Sequence, residues 1–352
     1  MKHLVITVVG IISFISCRKN NDVKNASGGC QLIQSTETGR SNIGTANEST
    51  YTITQNFEYN DLGFLTGNSF QVNSKNKSNK TSTNYSTNTY QYDAAGYLIK
   101  KVYNTSSSDF DGRSSKETQI YDYTYNNGRL VKVTKNWNGG SGSTIEMGIE
   151  NTTHEYDAAG NLVKTIFAYS RDGGAINTMT YLYEYNATKL SKYSLTAPDG
   201  TTINYVIEVN NQGLITKLLN PKDAYENRYQ YNNEGTQIIR EDWRNGKKDR
   251  KRVFVFDNNK NVNAVLYGIS YKKGFPKDFF GKSPFEGSHN VVKDQNYDIN
   301  FTSGAENLYF TYGYTYQYNS NGLPITRVSK HEYASGVVSV EATTNYTYSI
   351  CK

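Results

Sequence analysis

Few side chains in this sequence are spaced for catalysis. Its four histidines are His3, His154, His289 and His331, and no two stand within four residues of each other, so the paired histidines of a zinc hydrolase are missing. None of the three cysteines, Cys17, Cys30 and Cys351, has a second Cys or His at metal-ligand spacing. Asp109-Phe110-Asp111-Gly112 begins like a calcium loop but lacks the later ligands and the closing glutamate. Glu241 and Asp242 are adjacent carboxylates, and neighbours on a strand point to opposite faces, so they do not form the facing pair that hydrolyses a glycoside. No nucleophile elbow, phosphate loop or dinucleotide fingerprint occurs. The sequence therefore predicts no catalytic residue, no metal site and no cofactor, and a protein that is not an enzyme.

The cysteines do suggest processing. Met1-Lys2-His3 precedes an apolar run from Leu4 to Ile15 and then Ser16-Cys17. That run is the length of a signal peptide and too short for a membrane span. A cysteine directly after a small residue at its end resembles the bacterial lipobox. Residues 1–16 are read as a cleaved signal, Cys17 as the acylated residue, and the membrane as a partner through that lipid. The stretch 17–47, rich in Asn, Ser, Gly and Thr, reads as a flexible tether. Only Asp22 is acidic near Cys17, which leaves periplasmic and surface orientations both open. Cys30 and Cys351 stand at opposite ends of the mature chain, and an oxidising compartment permits a disulfide between them, with two free thiols as the alternative.

The elements that would carry any site are strands. A turn recurs along the chain: an alternating aromatic segment ends in Tyr-Asp or Tyr-Asn, and a glycine follows before the next apolar strand. The clearest copies run Tyr59 to Leu65 with Gly63, Tyr92-Asp93 to Leu98 with Gly96, and Tyr156-Asp157 to Leu162 with Gly160. Others begin at Tyr125 with Gly128, Tyr231 with Gly235 and Tyr318 with Gly322, and degenerate ones fall at Tyr185, Val209 and Phe256. Asp or Asn opens such a turn by bonding nearby backbone, and glycine supplies the left-handed residue. Upstream, Tyr121, Tyr123 and Tyr125 share one parity, as do Tyr181, Tyr183 and Tyr185, and Tyr312, Tyr314, Tyr316 and Tyr318. Period two puts each set on one sheet face, with Thr52, Thr54, Glu58, Thr124, Glu184, Thr315 and Gln317 on the other. The lysines of Leu98-Ile99-Lys100-Lys101-Val102-Tyr103 and Leu130-Val131-Lys132-Val133 are read as edge or outward residues. A hairpin this small cannot bury its face alone. The expected fold is all-β: a single large antiparallel sheet of repeated hairpins, roughly 16 to 20 strands, curled or closed into a barrel or roll over residues 48–352. Between about 268 and 305 prolines, glycines and aromatics break the alternation, predicting an irregular insert that covers one end of the sheet or contacts a ligand.

Composition agrees with this. The 352 residues include 31 Tyr and 14 Phe but only 5 Pro, 3 Met and 2 Trp, and only 20% are charged. Net charge is +6, or +5 once Lys2 leaves with the signal, too weak and diffuse for a nucleic-acid partner. The run Lys247-Lys248-Asp249-Arg250-Lys251-Arg252 is read as a solvated hairpin turn, and His154 as a cross-strand surface residue.

The turn copies resemble the YD repeats of Rhs-type shells, and with the lipobox and the terminal Tyr346-Thr347-Tyr348-Ser349-Ile350-Cys351 they look similar to short Bacteroidetes lipoproteins with a porin-like β-fold. The resemblance implies a hairpin-built shell in the cell envelope, at the outer membrane. The chain is far too short to enclose a toxin, and the charges scattered along its strands do not suit a lipid-facing surface. The functional expectation is a non-catalytic envelope lipoprotein binding a glycan or a protein partner. A structural or assembly component without a small ligand is the alternative, and a glycan hydrolase with an unrecognised site is a third. The tyrosines nearest the turns are read as core, whereas exposed rings would make a binding platform.

Overall fold

Alternation with a turn signal every ten or so residues can satisfy its backbone only by pairing each segment with the next, and the last strand must find the first or leave two open edges. The computed structural model describes residues 30–349, apart from 142–143, 188, 213, 235, 261–288 and 301. Among them are twenty strands. The first five are β1 (Leu32–Ser41), β2 (Ser49–Tyr59), β3 (Leu65–Asn76), β4 (Thr81–Tyr92) and β5 (Leu98–Ser108). Next come β6 (Ser114–Asn126), β7 (Arg129–Ser141), β8 (Thr144–Tyr156), β9 (Leu162–Arg171) and β10 (Asn177–Asn186). The shorter β11 (Lys189–Thr196), β12 (Thr202–Val209), β13 (Ile215–Asn220), β14 (Tyr225–Tyr231) and β15 (Gln237–Arg244) follow. β16 (Lys247–Lys260), β17 (His289–Ile299), β18 (Glu306–Tyr318), β19 (Pro324–Tyr333) and β20 (Val338–Tyr348) complete the sheet. Every strand pairs antiparallel with its chain neighbours, and β1 also pairs with β20, so the sheet closes into a barrel. At that seam Ser349 N–H donates to Gln31 O at 2.8 Å and Gln31 N–H to Ser349 Oγ at 3.0 Å.

Two expectations about boundaries are corrected. β1 lies inside the segment read as a tether; its own residues are polar apart from Leu32 and Ile33, and it is held by ladders to β2 and β20 on either side. β17 lies inside the segment read as an irregular insert. Apart from Val291, its residues on the side of Phe254 and Phe256 are the polar Asp294, Asn296 and Asp298, with Asp294 buried, so no apolar alternation announces it. The remainder of that insert, and Cys17 and Cys351, lie outside the described residues. The basic run after Gly246 is strand β16 rather than turn; the turn is Asn245-Gly246, both at positive φ.

Connections from even to odd strands gather at one rim, here the tyrosine rim. Asp93 shows its local chemistry: its carboxylate accepts from Ala95 N–H at 3.0 Å and Tyr97 N–H at 2.8 Å, while Gly96 takes φ +81°. Asn60 does the same for Leu62 and Phe64, and Asn319 for Asn321 and Leu323. Gly63, Gly128, Gly160 and Gly322 also have positive φ; Gly235 is outside the described residues. Asn127-Gly128 forms a two-residue turn with φ +48° and +72°, the type I′ geometry that matches strand twist.

Successive hairpins are latched together. The Tyr59 hydroxyl donates to Leu32 O at 2.9 Å, Tyr92 to Leu65 O at 2.8 Å, Tyr125 to Leu98 O at 2.9 Å and Tyr156 to Leu130 O at 2.7 Å. Tyr185, Tyr231, Tyr316 and Tyr348 bond Leu162, Ile215, Val291 and Pro324 in the same way. The two even strands without such a bond, β12 and β16, carry Val209 and Phe256 there, which have no hydroxyl. Tyr318 instead donates to the Asp257 carboxylate. Beneath the latches Leu32, Leu65, Leu98, Leu130, Leu162 and Leu190 are all buried, and Ile238, Phe254 and Phe256 form a buried apolar cluster with Tyr231 and Val291 packed against it. The side chain before three of these leucines stacks on the next hairpin: Phe64 lies 5.1 Å from Tyr92, Tyr97 4.9 Å from Tyr125, and the Arg129 guanidinium 5.6 Å from Tyr156.

Candidate functional site

Which parity faces inward follows from register. The row of cross-strand partners Glu37, Ile53, Val72, Asn84, Ser107, Ser115 and Ser141 starts at mid-height on β1 and reaches the far rim by β7. With the right-handed coil of strands in closed sheets, that climb puts this row and the tyrosine parity on the inner wall. For a round cross-section, twenty strands spaced about 4.8 Å apart and tilted about 40° give a backbone diameter of roughly 40 Å. Wall side chains alone cannot fill such a lumen.

Along β4 to β9 the inner wall combines rings with charged and amide groups. One cross-strand row reads Tyr90, Lys101, Tyr121, Lys135, Glu150, Tyr169, and the row beside it reads Asn88, Tyr103, Gln119, Trp137, Gly148, Arg171. A bulge decides this membership. Gln91 stands opposite Lys100 and Tyr92 opposite Leu98, so Ile99 is an extra residue. Were Ile99 paired with Gln91 in a regular ladder, Lys100 would face Tyr90 and the lumen, and Lys101 would face out. The reading of both lysines as outward is thus corrected for Lys101. His154 is corrected likewise: it shares the inward parity of Glu150 and Thr152, its Nδ1 lies 3.1 Å from Thr165 Oγ1, and burial lowers its pKa to about 4.

The site is held by side-chain bonds. Lys135 Nζ lies 3.1 Å from Glu150 Oε1. Gln119 donates to Glu117 Oε1 at 2.6 Å and accepts the Tyr121 hydroxyl, and Tyr90 donates to Asn68 Oδ1 at 3.0 Å. Lys101 Nζ sits 5.1 Å from the Tyr121 ring centroid and 6.0 Å from that of Tyr103, while Lys135 approaches the same Tyr121 ring at 5.8 Å. Burial, followed by the carboxylates of Glu150 and Glu117, pushes the Tyr121 phenol up to about 12. Burial, then the charge of Lys135, lowers the Lys101 pKa. Gly148 makes room for Trp137, since a Cβ there would stand 2.6 Å from the indole Nε1, and Arg171 covers that indole at 5.5 Å.

Two other charged groups on the inner wall are neutralised from within. Arg327 Nη2 meets Glu37 at 2.7 Å and Thr344 at 3.0 Å, and Tyr51 donates to the same glutamate. Arg252 pairs with buried Asp294, beside His331 stacked 4.2 Å from Tyr312. The outer wall is polar: Glu155–Lys164, Glu184–Lys192, Lys217–Glu208 and Lys248–Glu241 pair there at 2.8–3.5 Å. Ile145, Met147 and Ile149 of β8 also face outward, exposed, beside a groove of about 400 Å³ that Ile120 and Asn136 help to line.

Fold and wall together define a wide, hairpin-built antiparallel β-barrel with a tyrosine-lined interior and a charged exterior. No family model and no curated protein matches the chain. Among solved structures it is similar to a porin-like protein from Bacteroides uniformis, with a TM-score of 0.36 and 14% identity over 90% of this chain and 96% of that one. At that score no residue can be carried from one chain to the other.

Proposed function

We propose that the protein is a non-catalytic envelope lipoprotein whose lumen binds a glycan on the wall formed by β4 to β9. The observation that carries this reading is the side-by-side placement of Tyr103, Tyr121 and Trp137 with Lys101, Gln119 and Glu150. Flat rings cover the apolar faces of sugars, and amide, ammonium and carboxylate groups meet their hydroxyls. Export and anchoring rest on Cys17, and Cys30, which is disulfide-bonded, supports an oxidising compartment. We assign its partner as Cys351, two residues beyond Ser349, which bonds Gln31 across the seam.

The test uses intrinsic fluorescence. The chain has 2 Trp, and Trp243 shares the outward parity of Glu241, so Trp243→Phe leaves Trp137 as a lumen reporter. Titration with a panel of defined oligosaccharides is expected to change Trp137 emission saturably for at least one class, with the response lost in Tyr121→Ala. A panel that leaves emission and calorimetric heat unchanged throughout overturns the reading. The outer stripe of Ile145, Met147 and Ile149 supports a second one, an assembly component that meets another envelope protein. Site-specific cross-linking from position 147 in cells tests it, a single stoichiometric adduct being the expected result.

A further inference from the structure

We infer that the glycan is acidic, and that Lys101 holds a sugar carboxylate against the Tyr103 and Tyr121 rings. This rests on the glycan reading above and narrows it.

The argument is one of compensation. On the inner wall the other cations named above have acids: Lys135 has Glu150, Arg252 has Asp294, and Arg327 has Glu37. Arg171, covering Trp137, pairs with Glu146 at 3.3 Å. Lys101 faces Tyr90 on β4 and Tyr121 on β6, with Tyr103 two residues on, and no carboxylate of the described residues lies within ion-pair distance of it. Its nearest charged neighbour across the Tyr121 ring is another cation, Lys135. Two ammonium groups therefore flank one ring, and of the two carboxylates near it Glu150 is taken by Lys135 and Glu117 accepts from Gln119, so neither is paired with Lys101. A partly buried cation without a counterion is costly, and an arriving anion removes that cost. The aromatic faces restrict the anion to one carried on a flat-sided apolar frame, which a uronic acid provides. Gln119, in the adjacent row, keeps one amide N–H beyond its bonds to Glu117 and Tyr121 for the sugar's hydroxyls.

The test compares hexagalacturonate with the same oligosaccharide fully methyl-esterified, a probe of equal size without charge, using Trp137 emission in the Trp243→Phe background. Binding of the acid at least tenfold tighter than the ester, with the preference shrinking as salt is raised, is the expected result. Lys101→Met should make the two probes equal while leaving the melting temperature unchanged or higher, because it removes an unpaired cation, and Lys101→Arg should keep most of the preference. Equal affinity for acid and ester in the parent overturns this inference and leaves the glycan reading standing. Binding of neither probe overturns the inference, and binding of no oligosaccharide in the wider panel overturns both. A preference that survives Lys101→Met overturns the assignment to Lys101.

Discussion

Raising the pH should dismantle this barrel in one cooperative step about one unit above the point where free tyrosine ionises. The latch phenols are donors and work only while protonated. Burial pushes Tyr92, Tyr125, Tyr185, Tyr231, Tyr316 and Tyr348 well above the ordinary tyrosine value, and Tyr156 to about 12. A folded-state pKa above the unfolded one contributes stability that is fully present below the unfolded value, near pH 10, and is lost as pH rises through the folded values. At pH 11 each tyrosine of the unfolded chain gains about 1.4 kcal/mol by ionising, which the folded chain forgoes. Summed over these seven residues that is about 10 kcal/mol, and halving it for the partial exposure of the rings leaves about 5 kcal/mol. Domains of ordinary stability have about 5–15 kcal/mol in all. The assay follows tyrosinate absorbance and far-ultraviolet circular dichroism together through the titration. A fraction of the 31 Tyr is expected to titrate near pH 10, and the rest abruptly, at the pH where the strand signal collapses. A single smooth titration of all tyrosines near pH 10 with the strand signal intact would refute the latch argument.

Three further outcomes follow from the same geometry. Tyr125→Phe removes one hydroxyl bond to Leu98 O and should cost about 1 kcal/mol in urea unfolding, while the same loss at Tyr85, which is exposed, should cost nothing measurable. Gly96→Val should destabilise by about 1–3 kcal/mol, since φ is +81° and a Cβ would meet Phe64 at 3.0 Å; Gly112→Ala, at φ +79° with nothing nearby, should cost about 1 kcal/mol. Equal thermal shifts in the two would show that the stacked ring contributes nothing. Cys17→Ser should leave the circular dichroism spectrum unchanged and release the protein from the membrane fraction, and continued sedimentation with membranes would rule out acylation there.

The turns were legible because their chemistry is local. Asp93 and Asn60 bond backbone two and four residues on, and Gly96 must adopt a positive φ, so the spelling of six residues fixes each connection wherever it occurs. The number of hairpins follows from counting those spellings. β1 and β17 were hidden for the opposite reason: a strand without apolar alternation is made by its neighbours, and Ser35 and Asp294 are buried by residues far away in sequence. His154 was misread by the same route, since polar residues on both faces of β8 give no local cue to which side is the lumen.

The site itself depends on a non-local decision made at the tyrosine rim. Lys100 and Lys101 are the same residue type side by side, and composition cannot choose between them. The choice is made by Ile99, the extra residue opposite the Gln91–Tyr92 step, because one added residue inverts every side chain beyond it. The same kind of shift occurs at the turn ends of β2, β6, β8, β10, β12 and β18, so the repeat keeps resetting parity in step with its leucine ring. Each reset lets Leu65, Leu98, Leu130 and Leu162 be buried under a latch while the strand above still presents its alternate residues to the lumen. The rim's packing therefore determines which cation the inner wall displays, and a sequence read one strand at a time has no means of recovering it.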